Sequence, residues 1–396
     1  MRKNTLFKEA FVATLLIFLL FWVISFFPFR FELIKTIRQG LHDFDVYDLY
    51  FAGKNAGKRT RDTNIVIVQL AESRHKIAKQ LETIINCKPE VIGMDIVFKD
   101  PSEQSVDDSA LIRQAISSDN IIWASVLKED SLQKLINLHS FFNQSQGDKK
   151  EGFINFPGKP FYVVRSFLKN KEYNDTVLFS FPVEIVKHYS SDLFTKFSQR
   201  KHNVEAINYS GNLESYTNFT VTELDFLARS GQLEQKIRGK IVLMGYFNRE
   251  PPFVLEDMHF TPLNERAAGR SHPDMYGVVI HANIISMILG RNYIRVKSSL
   301  FSTILALIFT FFLTLYILYR YKVKKHPSHG AFILFQILLI IVLTYIFLMI
   351  FSCFKIQVPL MPIILSIVIS VEMIGLYKSL ALWLNKRWSY KTIFKN

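Results

Sequence analysis

Apolar side chains are concentrated in four long stretches, one near the start of the 396-residue chain and three near its end. The stretches cover residues 10–29, 299–319, 331–351 and 358–377. Each approaches the roughly 20 residues that an α-helix needs to cross a lipid bilayer. The first is followed by Phe-Phe-Pro-Phe-Arg instead of a small-residue cleavage site, so we interpret it as an uncleaved anchor. The pattern predicts four transmembrane helices.

Between the first two stretches, short apolar runs alternate with segments whose apolar residues recur at helical spacing. Residues 65–68, 91–98 and 121–126 are runs typical of buried strands. A helix after Ser73, a residue suited to an N-cap, separates the first two runs, and a helix around Leu111 separates the next two. This alternation predicts an α/β domain with a mostly parallel sheet flanked by helices.

The rest of this middle segment has fewer apolar runs. We predict further strands at residues 152–156, 205–209 and 240–244, and a helix at residues 276–289 that ends at Gly290. The stretches 128–150 and 248–273 are polar, and we predict that they are loops or insertions.

The net charge of +14 is located beside the apolar stretches. Residues 31–298 carry 34 Lys and Arg against 32 Asp and Glu, whereas the rest of the chain carries 14 against 2. Basic residues next to membrane helices mark the cytoplasmic side, so this distribution indicates membrane topology and not nucleic-acid binding. All the basic segments fall on one side if the N-terminus is cytoplasmic, which puts the middle segment outside the cytoplasm.

This topology divides the chain into segments with defined locations. The predicted segments are cytoplasmic residues 1–9, a transmembrane helix at 10–29, an extracytoplasmic domain at 30–298, a transmembrane helix at 299–319, a cytoplasmic loop at 320–330, a transmembrane helix at 331–351, an external loop at 352–357, a transmembrane helix at 358–377 and a basic cytoplasmic tail at 378–396.

The sequence carries no recognisable motif for catalysis or for a cofactor. It contains no G-x-S-x-G elbow, no P-loop and no H-E-x-x-H. Its two cysteines do not form a disulfide framework. One acid, Glu372, lies in the fourth apolar stretch near the predicted cytoplasmic boundary. It either has a function in the membrane or simply reaches water at the boundary, and the sequence does not distinguish the two. We expect neither an enzyme nor a bound cofactor.

The order of segments in the middle of the chain resembles the type-two CHASE domain, an extracytoplasmic sensory module of bacterial receptors. The similarity extends from about Asp45 to Arg291. The residues that carry it are Asp45–Phe51, Ile65–Val68, Val91–Phe98, Asp107–Leu111, Gly152–Phe156, Val163–Arg165, Ile207–Tyr209, Gly239–Gly245, Asp257, Thr261-Pro262 and Gly277–Asn283.

The resemblance implies a sensory domain with one helix before it and three after it, in the cytoplasmic (inner) membrane of a bacterium. Members usually continue into a cytoplasmic output domain, whereas we expect a stand-alone form here that passes its signal to a separate protein. Three departures from the family pattern concern Glu72–Ile77, the residues after Gly245 and the residues before Val163. If those positions contact a ligand in relatives, the ligand of this chain differs or is absent.

Five side chains are candidates for ligand binding: Asp95, Asp107, Asp108, Asp257 and His281. Asp95 ends an apolar strand, and ligands of parallel sheets gather at the carboxyl ends of strands. Asp107 and Asp108 either share a polar cleft with Asp95 or only stabilise the start of a helix. Asp257, His259 and His281 match no standard metal-binding spacing, so we predict no metal site.

We expect a membrane-anchored sensor that binds a small-molecule or cell-wall ligand outside the cytoplasm. The alternative is a structural or assembly subunit of a membrane complex, whose external domain docks a protein. An enzyme or a transporter is the weaker third hypothesis. Membrane lipid and a protein that carries the output are the expected partners, nucleic acid is not, and self-association stays open.

Overall fold

The computed structural model describes residues 2–26, 45–55, 62–102, 105–129, 135–142, 150–158, 162–251, 253–264, 272–323 and 328–394. The chain divides into two compact units, Met1–Tyr47 with Arg295–Asn396 and Asp48–Ile294. We call the first the membrane unit and the second the domain unit.

The membrane unit contains four helices that are long and apolar enough to cross a bilayer, one N-terminal and three C-terminal. They span Arg2–Phe26, Ser299–Val323, His329–Phe354 and Met361–Trp388. This confirms the predicted set of helices. The fourth begins after Pro359 with Pro362 in its first turn, because proline is tolerated where backbone N–H groups have no helical partner. It ends at Trp388, well beyond the predicted residue 377.

Small and polar side chains line the contacts among these helices. Thr14 and Thr314 share a hydrogen bond of 3.0 Å between their hydroxyl oxygens. Gln336 donates its side-chain N–H to the carbonyl oxygens of Ile367 and Val368 at 2.9 and 2.6 Å. Such contacts are typical of helix association in lipid. Glu372 is different, because its side chain is 72% exposed and faces His329 at 3.3 Å.

A short turn between the third and fourth membrane helices binds two distant segments of the membrane unit. Residues Ile356–Gln357 form a parallel pair with Arg295–Val296. The hydroxyl of Tyr47 donates to the carbonyl oxygen of Val358 at 2.9 Å and accepts from its N–H at 3.1 Å. We call this arrangement of Tyr47, Arg295–Lys297 and Lys355–Val358 the turn clamp.

The domain unit is built on a parallel sheet. Its strands are β1 (Asp62–Gln69), β2 (Val91–Met94), β3 (Ile121–Glu129), β4 (Leu135–Leu138), β5 (Glu151–Phe153), β6 (Ser166–Leu168), β7 (Asn170–Tyr173), β8 (Thr176–Phe179), β9 (Val204–Ala206), β10 (Tyr216–Phe219), β11 (Ile241–Gly245), β12 (Met258–His259) and β13 (Met275–Tyr276). The order in the sheet is β10-β1-β11-β2-β3, with β5 added parallel to β3 and β4 antiparallel to it. Strands β2 and β11 are buried along their whole length, as central parallel strands are.

Helices cover both faces of this sheet. They are α1 (Asp48–Asn55), α2 (Arg74–Asn86), α3 (Ser105–Ser117), α4 (Phe181–Tyr189), α5 (Ser191–Ser198), α6 (Val221–Arg229), α7 (Leu233–Ile237) and α8 (Gly277–Leu289). On one face, Ile77 and Leu81 of α2 and Leu111 of α3 join the core of the sheet. On the other, α4 packs on β2, β3 and β5, and α8 packs on β1 and β11. The predicted α/β class with a mostly parallel sheet is confirmed.

Several element boundaries differ from the sequence prediction. The run 91–98 forms a strand only to Met94, although the backbone N–H of Asp95 still donates to the carbonyl of Met244 in β11 at 2.8 Å. Residues 204–206 form β9, but this strand pairs antiparallel with β6 outside the main sheet. The segment 128–150, predicted to be a loop, contributes the end of β3 and β4. Ser73 and Gly290 cap α2 and α8 as predicted.

Candidate functional site

Three parallel strands of the domain unit end at side chains that line one cavity. Asp95 directly follows β2, Tyr246 directly follows β11, and Phe156 lies three residues beyond the end of β5. The cavity has a volume of about 480 Å³. We call it the strand-end cavity. It lies where open parallel sheets usually bind ligands, outside the carboxyl ends of their strands.

The start of α8 and the strand β12 complete the wall of the strand-end cavity. Helix α8 contributes Gly277 and, one turn later, His281, while the β12 segment contributes Asp257 and His259. The helix can approach the sheet because β11 ends in glycine. A Cβ atom at Gly245 would lie only 2.6 Å from Cβ of Val278, so any larger residue there would displace α8.

The carboxylate of Asp95 is held in the cavity wall with its side chain 11% exposed. Among the described residues, Nε2 of His281 is the basic atom that comes within 4.0 Å of Oδ1, and this distance is too long for a hydrogen bond. Burial, with a smaller contribution from the charge of Asp257, raises the pKa of Asp95 to about 7. Asp95 therefore titrates near neutral pH, as groups in functional clefts often do.

The imidazole of His281 is the most deeply buried polar group of this cavity. Its side chain is 3% exposed, and its Nδ1 atom has no hydrogen-bond partner in the part of the chain that the structure describes. The Phe156 ring stacks on it at 5.0 Å between centroids, and the Phe181 ring meets it edge-on at 5.2 Å. Burial and the nearby His259 lower the pKa of His281 to about 3, so the ring is neutral at physiological pH. One ring nitrogen is then an acceptor.

The cavity does not have the ligands of a metal site. Among the residues that the structure describes, no group of three His, Cys, Asp or Glu side chains could hold a metal ion. Burial lowers the pKa of His259 as well, so both histidines of the cavity are uncharged. The wall therefore offers carboxylates and neutral imidazoles.

The structure brings together three of the five candidates from the sequence: Asp95, Asp257 and His281. The other two lie in the first turn of α3 and are not among the residues that line this cavity. Asp108 pairs with Arg74 at 2.5 Å and accepts the N–H of Ser102 at 2.7 Å. Asp107 lies 3.9 Å from His75. Asp107 and Asp108 thus hold α3 against neighbouring segments.

Other polar residues considered from the sequence have structural partners. Asn283 accepts from the backbone N–H of Ser210 at 2.8 Å and donates to the carbonyl of Gly211 at 2.9 Å. Thr261 donates to the carboxylate of Asp274 through its N–H and its hydroxyl, at 2.7 and 2.5 Å.

A second cavity, of about 750 Å³, lies on the other side of the β12–β13 ribbon and is lined by Met258 and Tyr276. Several polar groups in its wall are paired, whereas the buried hydroxyl of Tyr276 has no hydrogen-bond partner among the described residues. Arg249 donates to the side chains of Asn218 and Glu223 at 2.8 and 2.7 Å. Asn212 donates to the carbonyl of Asp274 at 2.8 Å. The strand-end cavity is the better candidate for ligand binding, because it lies at the carboxyl ends of the parallel strands.

The sequence did not indicate the aromatic part of the strand-end cavity. Phe156, Tyr162 and Tyr246 line it, and none of them was a candidate. A signal was present, because Tyr162 and Tyr246 lie in two of the three segments that depart from the resemblance. Phe161, the other residue of the first departure, lies outside the described residues.

Comparison with known proteins agrees with the order of elements in the domain unit. The family model of the CHASE2 domain matches residues 13–318, which are most of the chain. No curated protein and no solved structure gave a match. Because the match includes the strands and helices that form the strand-end cavity, the chain belongs to the CHASE2 domain family.

Proposed function

We propose that the protein is a membrane-anchored sensor of the bacterial cytoplasmic membrane, which binds a small molecule in the strand-end cavity outside the cytoplasm. CHASE2 is a family of sensory domains, and the four apolar helices indicate a membrane protein. The observation that carries the proposal is the cavity itself, where a buried carboxylate and an unpaired buried imidazole meet at the ends of parallel strands. Buried polar groups without partners are costly, and a ligand would satisfy them.

In this proposal the signal leaves the domain unit through its two connections to the membrane unit. Tyr47 directly precedes the domain unit and Arg295 directly follows it. Both residues belong to the turn clamp, so a change at either connection acts on the turn between the third and fourth membrane helices. The recipient of the signal is a separate protein that contacts these helices.

A variant that fills the cavity tests ligand binding. A Cβ atom at Gly277 would lie 3.7 Å from Nε2 of His259 and 3.9 Å from Oδ2 of Asp95, which are ordinary contact distances. A Cβ atom is therefore accommodated at this position, and the rest of a leucine side chain would extend among residues that line the cavity. Gly53→Leu is the matched control, because a Cβ at Gly53 meets nothing within 4 Å.

The measurement is a thermal-shift screen of metabolites and cell-wall fragments on the full chain in detergent. We expect compounds that raise the Tm of the wild type and of Gly53→Leu, but not of Gly277→Leu, because bound ligand stabilises only a protein that can bind it. Compounds that stabilise Gly277→Leu equally, or a screen without any difference between the two variants, would contradict the proposal. A stoichiometric protein that co-purifies in that second case would support an assembly subunit instead.

A further inference from the structure

The start of helix α8 forms part of the wall of the strand-end cavity. Gly277, the first residue of the helix, lines the cavity, and it does so with backbone atoms because it has no side chain. Tyr276 at the N-cap makes no hydrogen bond from its side chain to the helix. The first backbone N–H groups of a helix have no partner within the helix, and they carry partial positive charge. This part of the wall therefore offers hydrogen-bond donors.

Acceptor groups lie beside these donors. Oδ2 of Asp95 is 3.9 Å from the position that a Cβ atom of Gly277 would take. A carboxyl group accepts hydrogen bonds whether it is ionised or protonated. His281 lies one turn further along α8, and its Nδ1 atom has no partner among the described residues although only 3% of the side chain is exposed. A ligand that fits this corner of the cavity must therefore both accept and donate hydrogen bonds.

Aromatic and apolar side chains form much of the remaining wall. Phe156, Tyr162 and Tyr246 contribute rings, and Val126 and Ile154 contribute aliphatic surface. The volume of about 480 Å³ is in the range that accommodates an organic molecule. Of the described residues that line the cavity, none is Lys or Arg, so the wall offers no described cation to hold an anionic ligand. The cavity suits a planar, mostly apolar body with one compact polar group.

We propose that the strand-end cavity binds a neutral organic molecule with a primary carboxamide group, whose carbonyl oxygen accepts from the N–H of Gly277 and whose NH₂ group donates to Asp95 and to the imidazole of His281. This inference rests on the proposed function and specifies its ligand. An amide matches the corner because it carries an acceptor and donors side by side. A carboxylate ligand would bring a like charge beside Asp95, and an ammonium ligand has no acceptor for the helix.

Small probes that differ in one property each test the inference: benzamide, N,N-dimethylbenzamide, benzoate and benzylamine. The dimethyl compound keeps the carbonyl but has no N–H, benzoate replaces the amide by an anion, and benzylamine is a cation without an acceptor. Binding of each is measured by isothermal titration calorimetry to the full chain in nanodiscs of zwitterionic lipid. Heat that persists with Gly277→Leu, whose side chain extends among the residues that line the cavity, reports partition into lipid and is subtracted.

We expect benzamide to bind the wild type more tightly than the other probes do. The measurement is made at about pH 8, above the pKa of about 7 that burial gives Asp95, so that the carboxylate is ionised. Asp95→Asn should then weaken benzamide on the order of tenfold, as the loss of a charge-assisted hydrogen bond does. N,N-dimethylbenzamide should be unaffected, because it has no N–H to lose a partner. Asp192→Asn is the control, since Asp192 pairs with Lys196 on the surface.

Gly277→Pro and Gly277→Ala form a matched pair for the donor at the helix start. Proline removes the N–H and is tolerated at the first position of a helix, and the extended backbone of Tyr276 suits a residue before proline. Alanine adds a Cβ atom, for which there is room, and keeps the N–H. Relative to Gly277→Ala, we expect Gly277→Pro to weaken benzamide and N,N-dimethylbenzamide alike, about two- to tenfold, because both probes accept through their carbonyl oxygen.

The outcomes separate this inference from the proposed function. If benzoate or benzylamine binds the wild type more tightly than benzamide and Gly277→Leu abolishes that binding, the cavity binds ligands of another class and only the inference fails. Equal heat from benzamide with the wild type and Gly277→Leu would show that the amide is not bound in the cavity. The inference is also overturned if Asp95→Asn weakens both amides equally, if Asp192→Asn has the same effect, or if Gly277→Pro binds both amides as Gly277→Ala does. The proposed function fails separately, when no compound of the thermal-shift screen distinguishes the wild type from Gly277→Leu.

Discussion

Asp95 destabilises the fold at neutral and higher pH, as residues retained for binding often do. Burial raises its pKa from the ordinary 3.8 to about 7. Between these values the folded protein keeps a proton that the unfolded chain has released. The free energy of unfolding therefore falls as the pH rises through this interval, and above pH 7 the full cost of a buried carboxylate remains.

We expect Asp95→Asn to be more stable than the wild type above the pKa of about 7, by on the order of 2 kcal/mol. The advantage should shrink as the pH falls and disappear near the ordinary carboxyl pKa. Denaturant unfolding of the full chain in detergent at a series of pH values measures it. If Asp95→Asn raises the free energy of unfolding by the same amount at every pH, the charge of the carboxylate is not the cause. The control Asp192→Asn should show no pH-dependent increase in the free energy of unfolding.

Residues differ in how well their roles could be predicted from the sequence. Asp95 was identifiable because an acid that ends an apolar strand lies at the carboxyl edge of a parallel sheet. The partner of Asp108 was not, because Arg74 lies 34 positions away and the contact exists only once α2 and α3 pack together. Tyr246 likewise lines the cavity only because α8 closes against the end of β11.

At the scale of elements, the hydrophobic pattern predicted the central strands of the sheet but missed β4 and β10, which lie at its ends. Strands β2 and β11 are buried on both faces, so their apolar runs were unambiguous. Strand β4 is only four residues long, too short for a hydrophobic pattern to show, and it pairs antiparallel with the end of β3. Some glycines mark places where two elements pack too closely for a side chain, and the hydrophobic pattern does not indicate such contacts. A Cβ at Gly152 would collide with the backbone of Phe181 at the start of α4.

The turn clamp gives a prediction for the elements of the membrane unit. Tyr47→Phe keeps the ring that packs on Phe351 at 4.8 Å but removes the hydroxyl that binds Val358. A hydrogen bond of this kind contributes about 0.5–1.5 kcal/mol. We expect the backbone amide of Val358 to exchange with solvent about two- to tenfold faster in the variant.

Hydrogen exchange followed by mass spectrometry measures this change on the full chain in nanodiscs. Tyr345→Phe is the control, because Tyr345 is 65% exposed on the third membrane helix. Unchanged exchange at Val358 in Tyr47→Phe would mean that the hydroxyl does not hold the turn in the membrane-embedded protein.

At the scale of the whole molecule, the side of the membrane on which the domain unit lies decides whether it is an external sensor. The basic segments predict a cytoplasmic N-terminus and C-terminus. The turn between β7 and β8, at the exposed residues Asn174 and Asp175, is a suitable insertion site because both residues already have positive φ angles in a surface turn.

We expect an alkaline phosphatase inserted at this turn to be active, because that enzyme needs the oxidising environment outside the cytoplasm. The same reporter fused after Asn396 should be inactive, and a fluorescent protein that folds only in the cytosol should give the reverse pattern. Phosphatase activity at the C-terminus with none at the β7–β8 turn would place the domain unit in the cytosol and end the proposal of an external sensor.

The turn clamp also has a consequence for how such a protein can diversify. Tyr47 and Arg295 border the 247 residues of Asp48–Ile294, yet both are hydrogen-bonded to the same turn of four residues. The membrane unit thus holds Tyr47 and Arg295, the two residues between which the domain unit is inserted, at the same turn. A chimera could replace residues 48–294 by a foreign domain whose termini lie close together. The hydrogen bonds of Tyr47 and Arg295 to the turn would then be kept. Recombination could therefore exchange the sensory domain while the membrane helices stay the same.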